Sequence, residues 1–442
     1  MPAASGVPPC RLLEKAMPMP SFPHCPHARE CGACQHVNEP YEAQLACKDE
    51  RMRGLFAEFD GVEVRAILGM EHPYHYRNKV ISPFARGKRL GDAPRGKGGS
   101  DGKGRYGKDG RRAGGERGGA SGGRRGAPRY EILCGMYAAG THRIVPTDEC
   151  LVENEQAKRA ILTIRRLMPK FGIQPYSEDA GTGFLRHAVV RVGHTSGEVL
   201  VTLVTNEPEF PASRAFCREL VKRCPFITTI VQNVNTRQTN VILGEREQRL
   251  YGPGFILDRL CGLSFRISSQ SFYQVNAVQT EVLYDTAIEL AALSGGERAI
   301  DAYCGTGTIG LVAAARGAGE VVGVDSVESA VRDARQNARH NGIENARFVA
   351  ADAGEFMRRL ASDGERADVV LMDPPRAGSS EEFIDALTEL APTRVVYISC
   401  NPETQVRDCR LLRDRGYRLR AVQPVDMFPH TDHVETVALL AR

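Results

Sequence analysis

Apolar and polar positions change their period along this chain, and the change divides it. Between Tyr76 and Leu250, short runs such as "KVISPFA", "YEILCGMYAA", "HAVVRVG", "EVLVTLVTN" and "TTIVQNV" have strand length and strand composition. They predict a mostly antiparallel β region with a helix near 154–168. From about residue 296 strands and helices take turns: "RAIDAY", "EVVGVD", "ARFVAAD", "ADVVLMD", "RVVYIS", "YRLRAVQPVD" and "ETVALLA", with helical segments between most of them. That alternation predicts an α/β domain built on a doubly wound, largely parallel sheet, which takes ligands at the carboxyl ends of its strands. Ahead of both regions, "PYEAQLACKDERMRGLFAEF" carries a helical pattern. The division is therefore 1–24 as a disordered lead, 25–75 as a cysteine-rich segment, 76–250 as the β region and 251–442 as the α/β domain.

Composition narrows the class. A chain of 442 residues is too long for one ordinary core, and 42% hydrophobic with 25% charged residues is globular. No stretch approaches the roughly 18 continuous apolar residues of a membrane span. The N-terminus holds six prolines before Cys25 and no apolar core of a secretory signal. Thirteen cysteines, an odd number, fit a reducing cytoplasm better than a disulfide framework. The net charge of +4 is unevenly spread: residues 86–129 hold fourteen Lys/Arg against four Asp/Glu and sixteen glycines. Such a segment cannot bury a core and is expected to be disordered, lengthening a hairpin tip at small cost. It reads either as an arm for nucleic-acid phosphates or as a tolerated loop insertion.

Candidate chemistry concentrates at strand ends. "IDAYCGTGTIG" (300–310) is a strand breaking into Gly305-Thr306-Gly307 and a helix start, a turn that lets backbone approach a ligand. Asp325 ends the next strand, where a carboxylate can accept ribose hydroxyls, and Asp352 closes the third, suited to an adenine edge. Gly305, Gly307 and Gly310 also satisfy a dinucleotide fingerprint. Asp301, four residues before Gly305, resembles the acidic opening of class I methyltransferase loops and favours S-adenosylmethionine (SAM) over a dinucleotide. "LMDPPRAG" (371–378) ends the fourth strand in a rigid edge carrying Asp373. Arg376 stands where amine-methylating relatives place a base-stacking aromatic.

"VVYISCNPET" (395–404) puts Cys400 at the end of the fifth strand. It reads as a core-filling thiol or as a nucleophile. A pyrimidine C5 is a poor nucleophile, and a thiolate adding to C6 activates it for methylation. A general base must then remove the C5 proton. The helix after Asn401-Pro402 is expected to favour the thiolate below a free thiol's pKa of about 8.5. "MFPHTDHVETVALL" (427–440) offers Glu435 as base, or a zinc site with His430 and His433. At the N-terminus, Cys25, Cys31 and Cys34 stand at C-x5-C-x2-C. A zinc or iron–sulfur site there needs a fourth ligand from His24, His27, Cys47 or a remote cysteine.

The order "SFYQVN", "DAYCGTGTIG", "DPPRAG", "SCNP" and "FPHTDHVE" resembles the RNA 5-methyluridine (uracil-C5) methyltransferases of the RumA/TrmA type. The resemblance covers roughly 25–85 and 130–442. It implies a C-terminal class I SAM-methyltransferase domain of Rossmann-like winding behind an RNA-binding β region. It implies Cys400 as nucleophile, Glu435 as base, and SAM contacts from Gln274, Tyr303, Asp325 and Asp373. It further implies a [4Fe–4S] cluster whose last ligand follows "GTHRIV", which nominates Cys150 beside Cys25, Cys31 and Cys34. The cluster resembles that of the ribosomal RNA branch, so large-subunit rRNA is the expected partner ahead of tRNA, with no obligate protein partner. A cytosine-C5 RNA methyltransferase and a non-catalytic iron–sulfur RNA-binding protein are the competing readings.

Overall fold

The structure, a computed structural model, describes residues 22–90 and 130–442. The lead expected over 1–24 therefore lies outside the described residues up to Ser21, and most of the basic insert lies outside them too.

Seven strands of the C-terminal half, Arg298–Ala302, Glu320–Asp325, Ala346–Ala350, Val369–Met372, Arg394–Ser399, Arg418–Val425 and Glu435–Ala441, form one sheet and are called first to seventh below. Their spatial order is sixth, seventh, fifth, fourth, first, second, third, and only the seventh runs antiparallel to its neighbours. Helices cover both faces, so the central strands read as continuous apolar runs rather than as alternating ones. Val395 to Ile398 are at most 1% exposed, packing into the apolar clusters on the two sides of the sheet. The sheet has an eighth member: Glu63–Val64, from the cysteine-rich segment, pairs in parallel with the sixth strand at Ala421 and Val422. Helix Tyr41–Phe56 from the same segment buries Phe56 in the same core as the fourth and fifth strands.

The central region forms a second sheet of seven strands, of which Lys79–Arg89, Tyr130–Tyr137, Leu185–Val192 and Val199–Thr205 pair antiparallel in that neighbourhood. One pair departs from the antiparallel expectation: Val199–Thr205 and Ile227–Val234 run parallel, joined by helix Ser213–Arg223 as crossover. Helix Glu155–Leu167 falls where the pattern placed it, with the Asn154 side chain accepting from the Gln156 and Ala157 N–H groups. The basic insert was expected to begin at residue 86, but Arg86–Arg89 belong to the hairpin. Arg86 pairs with Ile132 and Arg89 with Tyr130, and the Arg86 guanidinium lies over the Tyr130 ring. Ladder bonds outweigh composition there, and the insert proper is 91–129.

Candidate active site

Strand register alone assembles the carboxyl edge of the C-terminal sheet. Ala302 pairs with Val324 and with Met372, so Tyr303, Asp325 and Asp373 leave their strands at one level. Ser399 pairs with Thr436, so Cys400 and Glu435 exit facing each other on neighbouring antiparallel strands. Gln405 ties these two ends from below: its Nε2 donates to the Tyr397 carbonyl (2.9 Å) and its Oε1 accepts the Thr436 hydroxyl (2.6 Å). Ser399 and Asn401 exchange hydrogen bonds across the thiol, and helix Pro402–Asp414 starts immediately after.

The electrostatics of this corner differ from expectation. Burial pushes the Cys400 thiol up, and the charges of Glu435 and Asp373 push it further, against Arg376 alone. Glu435 is 4% exposed, and burial first, then the Asp373 charge, lifts its carboxyl to about 8. Burial lifts Asp373 to about 7. Two carboxyls and a thiol thus share one corner with Arg376, and near neutral pH the thiol and Glu435 are held largely protonated. Sequence reading gave Arg376 only a negative role. In the structure its charge favours the Cys400 thiolate and the ionised Glu435, and its Nη2 reaches His433 Nε2 at 3.5 Å. Its backbone carbonyl is held by Asn401 Nδ2 (3.1 Å) and Thr404 Oγ1 (3.3 Å), which lock the Asp-Pro-Pro turn onto the thiol turn.

The glycine loop is strained toward a ligand. Tyr303, Gly305 and Gly307 all have positive φ (66°, 53° and 80°). A side chain at Gly307 would strike Phe348, whereas Gly305 faces open space. Asp325 accepts from the Gly305 N–H (2.9 Å) and the Val327 N–H (2.8 Å). Asp301 accepts from the Gly310 N–H (2.9 Å), but its other oxygen is buried without a partner, and burial holds its carboxyl well above the usual range. A buried carboxyl oxygen without a partner, behind a glycine turn that faces open space, leaves room and a free polar group for a ligand such as SAM. Asp352 spends one oxygen on capping helix Ala353–Ser362, through the Glu355 N–H (2.9 Å). Gln274 sits half-buried in the segment leading to helix Ala277–Ala291. That segment is fixed to the central sheet by Arg191 Nη2 to the Ser271 carbonyl (2.5 Å) and the Asn78 N–H to the Val275 carbonyl (2.7 Å). Beside it Lys79 is lowered to about 8 by burial, with the nearby charges of Arg191 and Arg77 adding to the effect. Positive charge therefore gathers where the two sheets meet.

Cys25, Cys31, Cys34 and Cys150 line a single cavity with His27 and Glu149. Burial raises Cys34 to about 12 and Cys150 to about 11, and the Cys34 thiol feels Cys150, Cys31 and Cys25 together. Among the described residues no group of His, Cys, Asp or Glu is arranged to hold a single metal ion. This speaks against zinc at His430, His433 and Glu435, and His430 is occupied elsewhere, bonded to Gln44 and to the Pro73 carbonyl. Cys25, Cys31, Cys34 and Cys150, by contrast, stand together around one cavity and are the residues that could hold a thiolate-bound centre.

A doubly wound sheet of this order, with a strained glycine loop and an acidic row at its carboxyl edge, defines a SAM-dependent methyltransferase. Comparison with known proteins agrees and narrows it. Residues 256–442 match the family described as tRNA (Uracil-5-)-methyltransferase. An uncharacterized RNA methyltransferase of Halalkalibacterium halodurans is 39% identical over 94% of this chain and 82% of its own length. One from Bacillus cereus is 38% identical over 95% and 82%. The crystal structure of Pyrococcus abyssi tRNA (uracil-54, C5)-methyltransferase with S-adenosyl-L-homocysteine superposes with a TM-score of 0.67 at 28% identity, covering 91% of this chain and 84% of that one. The chain belongs to the RNA (uracil-5-)-methyltransferase family.

Proposed function

We propose that this enzyme methylates C5 of a uridine in RNA, with Cys400 as nucleophile and Glu435 as the base that removes the C5 proton. The observation that carries the reading is the strand register that brings those two residues face to face beside Asp373. SAM, when bound, supplies the electrophilic methyl group. Tyr303, Asp325, Asp352 and Gln274 are the residues proposed to hold it, with Asp301 behind the glycine loop. Addition of the Cys400 thiolate to uracil C6 places the electron pair on C5, which then takes the methyl group. Glu435 accepts the C5 proton, the C5–C6 double bond re-forms, and the Cys400 thiolate leaves. A base lifted to about 8 is matched to this step, because it takes a carbon-bound proton more readily than an ordinary carboxylate. Arg376 offers the positive charge that a departing or attacking thiolate needs.

Cys25, Cys31, Cys34 and Cys150 are proposed to hold a [4Fe–4S] cluster, which would tie residues 25–34 covalently to the central sheet. The likeness of that cysteine set to the one in the ribosomal RNA branch is the argument for a large-subunit rRNA substrate. The competing tRNA reading rests on the Pyrococcus abyssi neighbour, a tRNA (uracil-54, C5)-methyltransferase. Incubating the enzyme with SAM and, separately, unmodified rRNA or tRNA decides between them, with 5-methyluridine read by nucleoside mass spectrometry. New 5-methyluridine in the rRNA alone supports the first reading and in the tRNA alone the second. New 5-methylcytidine in place of either overturns the uracil assignment.

A further inference from the structure

The loop between the sixth and seventh strands, residues 426–434, delivers Glu435 to the cleft; Asn276 and Gln279 hold the Met427 and Asp426 carbonyls, and residues 36–76 hold much of the rest. Asp426 receives Lys48 Nζ (2.7 Å) and the Tyr41 hydroxyl (2.8 Å), an ion pair only 5% and 0% exposed. The Phe428 carbonyl accepts from Lys48 Nζ (3.3 Å), the Pro429 carbonyl from the Tyr76 hydroxyl (3.0 Å), and the Asp432 carbonyl from Arg51 Nη1 (2.8 Å).

His430 is the centre of this arrangement. Its φ of 70° is one that a side chain with a β-carbon disfavours, and it is fully buried. Its N–H donates to Gln44 Oε1 (3.0 Å) and its carbonyl accepts the His36 N–H (3.0 Å). Gln44 Nε2 can only donate and the Pro73 carbonyl can only accept, so Nδ1 (3.2 Å) is the acceptor and Nε2–H (2.9 Å) the donor. All four polar groups of a strained residue are thus answered from residues 36, 44 and 73. None of those residues reaches the cleft. Five residues later the chain enters the seventh strand at Glu435, whose partner across the ladder is Val425, at the other end of the same loop.

We propose that His36, Gln44, Lys48 and Pro73 form a brace that holds His430 in its left-handed conformation and thereby positions Glu435 for proton removal. The N-terminal segment then serves a chemical step without touching RNA or SAM. This rests on the assignment of Glu435 as base. The step it governs is the second half of the reaction: the C5–H bond breaks toward Glu435, its electrons re-form C5=C6, and the C6–S bond breaks back to Cys400. The first half needs only the thiolate and the methyl donor, so a loosened brace should separate the two.

Gln44→Met removes the brace's central amide at nearly constant volume. In single turnover with full-length enzyme, SAM and RNA, this variant should form the covalent protein–RNA complex within about twofold of the wild-type rate, with an unchanged KM for SAM. Release should slow on the order of tenfold, so that methylated complex accumulates on denaturing gels. Adding His430→Gly, which takes the left-handed conformation without being held there, should restore release. Should Gln44→Met lose its near-ultraviolet dichroism, Lys48→Met against Lys48→Arg carries the same comparison, with rescue expected from Arg. Equal slowing of both steps, or normal release in these variants, overturns the brace. A wild-type enzyme that never forms the covalent complex overturns the Cys400 mechanism instead.

Discussion

Glu435→Gln is expected to stabilise the protein while stalling it. The carboxyl is 4% exposed and lifted from an ordinary value of 4.5 to about 8, chiefly by burial and then by Asp373. A folded-state pKa raised above the unfolded one contributes stability that is complete below about pH 4.5 and is lost as pH rises through 8. Each unit is worth about 1.36 kcal/mol, which sets an upper limit of about 5 kcal/mol for the whole shift. Relaxation and water penetration around the ionised carboxylate lower that limit, and a working value is about 2–3 kcal/mol at pH 8.5. Gln is uncharged and nearly isosteric, so the variant should match wild type at pH 5 and melt higher by roughly 4–8 °C at pH 8.5. The assay is paired thermal denaturation at the two pH values. The same variant should still form the methylated covalent complex, with turnover reduced about 10²- to 10⁴-fold. A melting difference that does not grow between pH 5 and pH 8.5 would refute the desolvated-base account, and rapid product release by Glu435→Gln would remove this residue as the base.

Other outcomes follow from the same geometry. For wild type, kcat should rise between pH 6.5 and 9, since both the raised Cys400 thiol and a Glu435 near 8 must lose protons to act; a profile flat across that range contradicts the proton inventory. Arg376→Met should slow alkylation of Cys400 by iodoacetamide at pH 8 about fivefold, the factor that roughly 1 kcal/mol of lost charge support carries; unchanged reactivity would mean that Arg376 does not serve the thiol. Cys150→Ser should purify with much less iron and sulfide than wild type, whereas Cys134→Ser should keep both, because Cys134 lies buried in the central sheet's own core; equal iron in the two variants contradicts the ligand set. Deleting 91–129, and leaving the paired Arg86–Arg89 in place, should weaken RNA binding and flatten its dependence on salt.

Much of this architecture can be read from strand-length apolar runs, and the failures are instructive. Arg246–Tyr251 is an edge strand of mostly exposed residues, "REQRLY", so it offers no buried face to create a pattern. Glu63–Val64 is two residues long, and only its partner strand makes it a strand. The parallel pairing of Val199–Thr205 with Ile227–Val234 depends on a crossover that composition does not announce. At the site, Tyr303, Asp325, Asp373 and Cys400 were legible because each ends a strand of one sheet, so linear position translates directly into depth along the cleft. The charge state of Cys400 was not legible. A helix start is visible locally, but the two carboxyls that oppose it come from 27 residues earlier and 35 residues later in the chain. The brace was invisible for the same reason, since Gln44 and His430 are 386 residues apart.

The central claim is covalent catalysis by Cys400 on a uracil, and its most direct test is a trapped adduct. RNA carrying 5-fluorouridine offers no C5 proton for a base to remove, so the enzyme with SAM should halt as a stable complex. Mass spectrometry of the digested complex should place a methylated fluorouridine on the peptide containing Cys400, and the Cys400→Ala enzyme should give no complex. No adduct from wild type, or the same adduct from Cys400→Ala, would contradict the account.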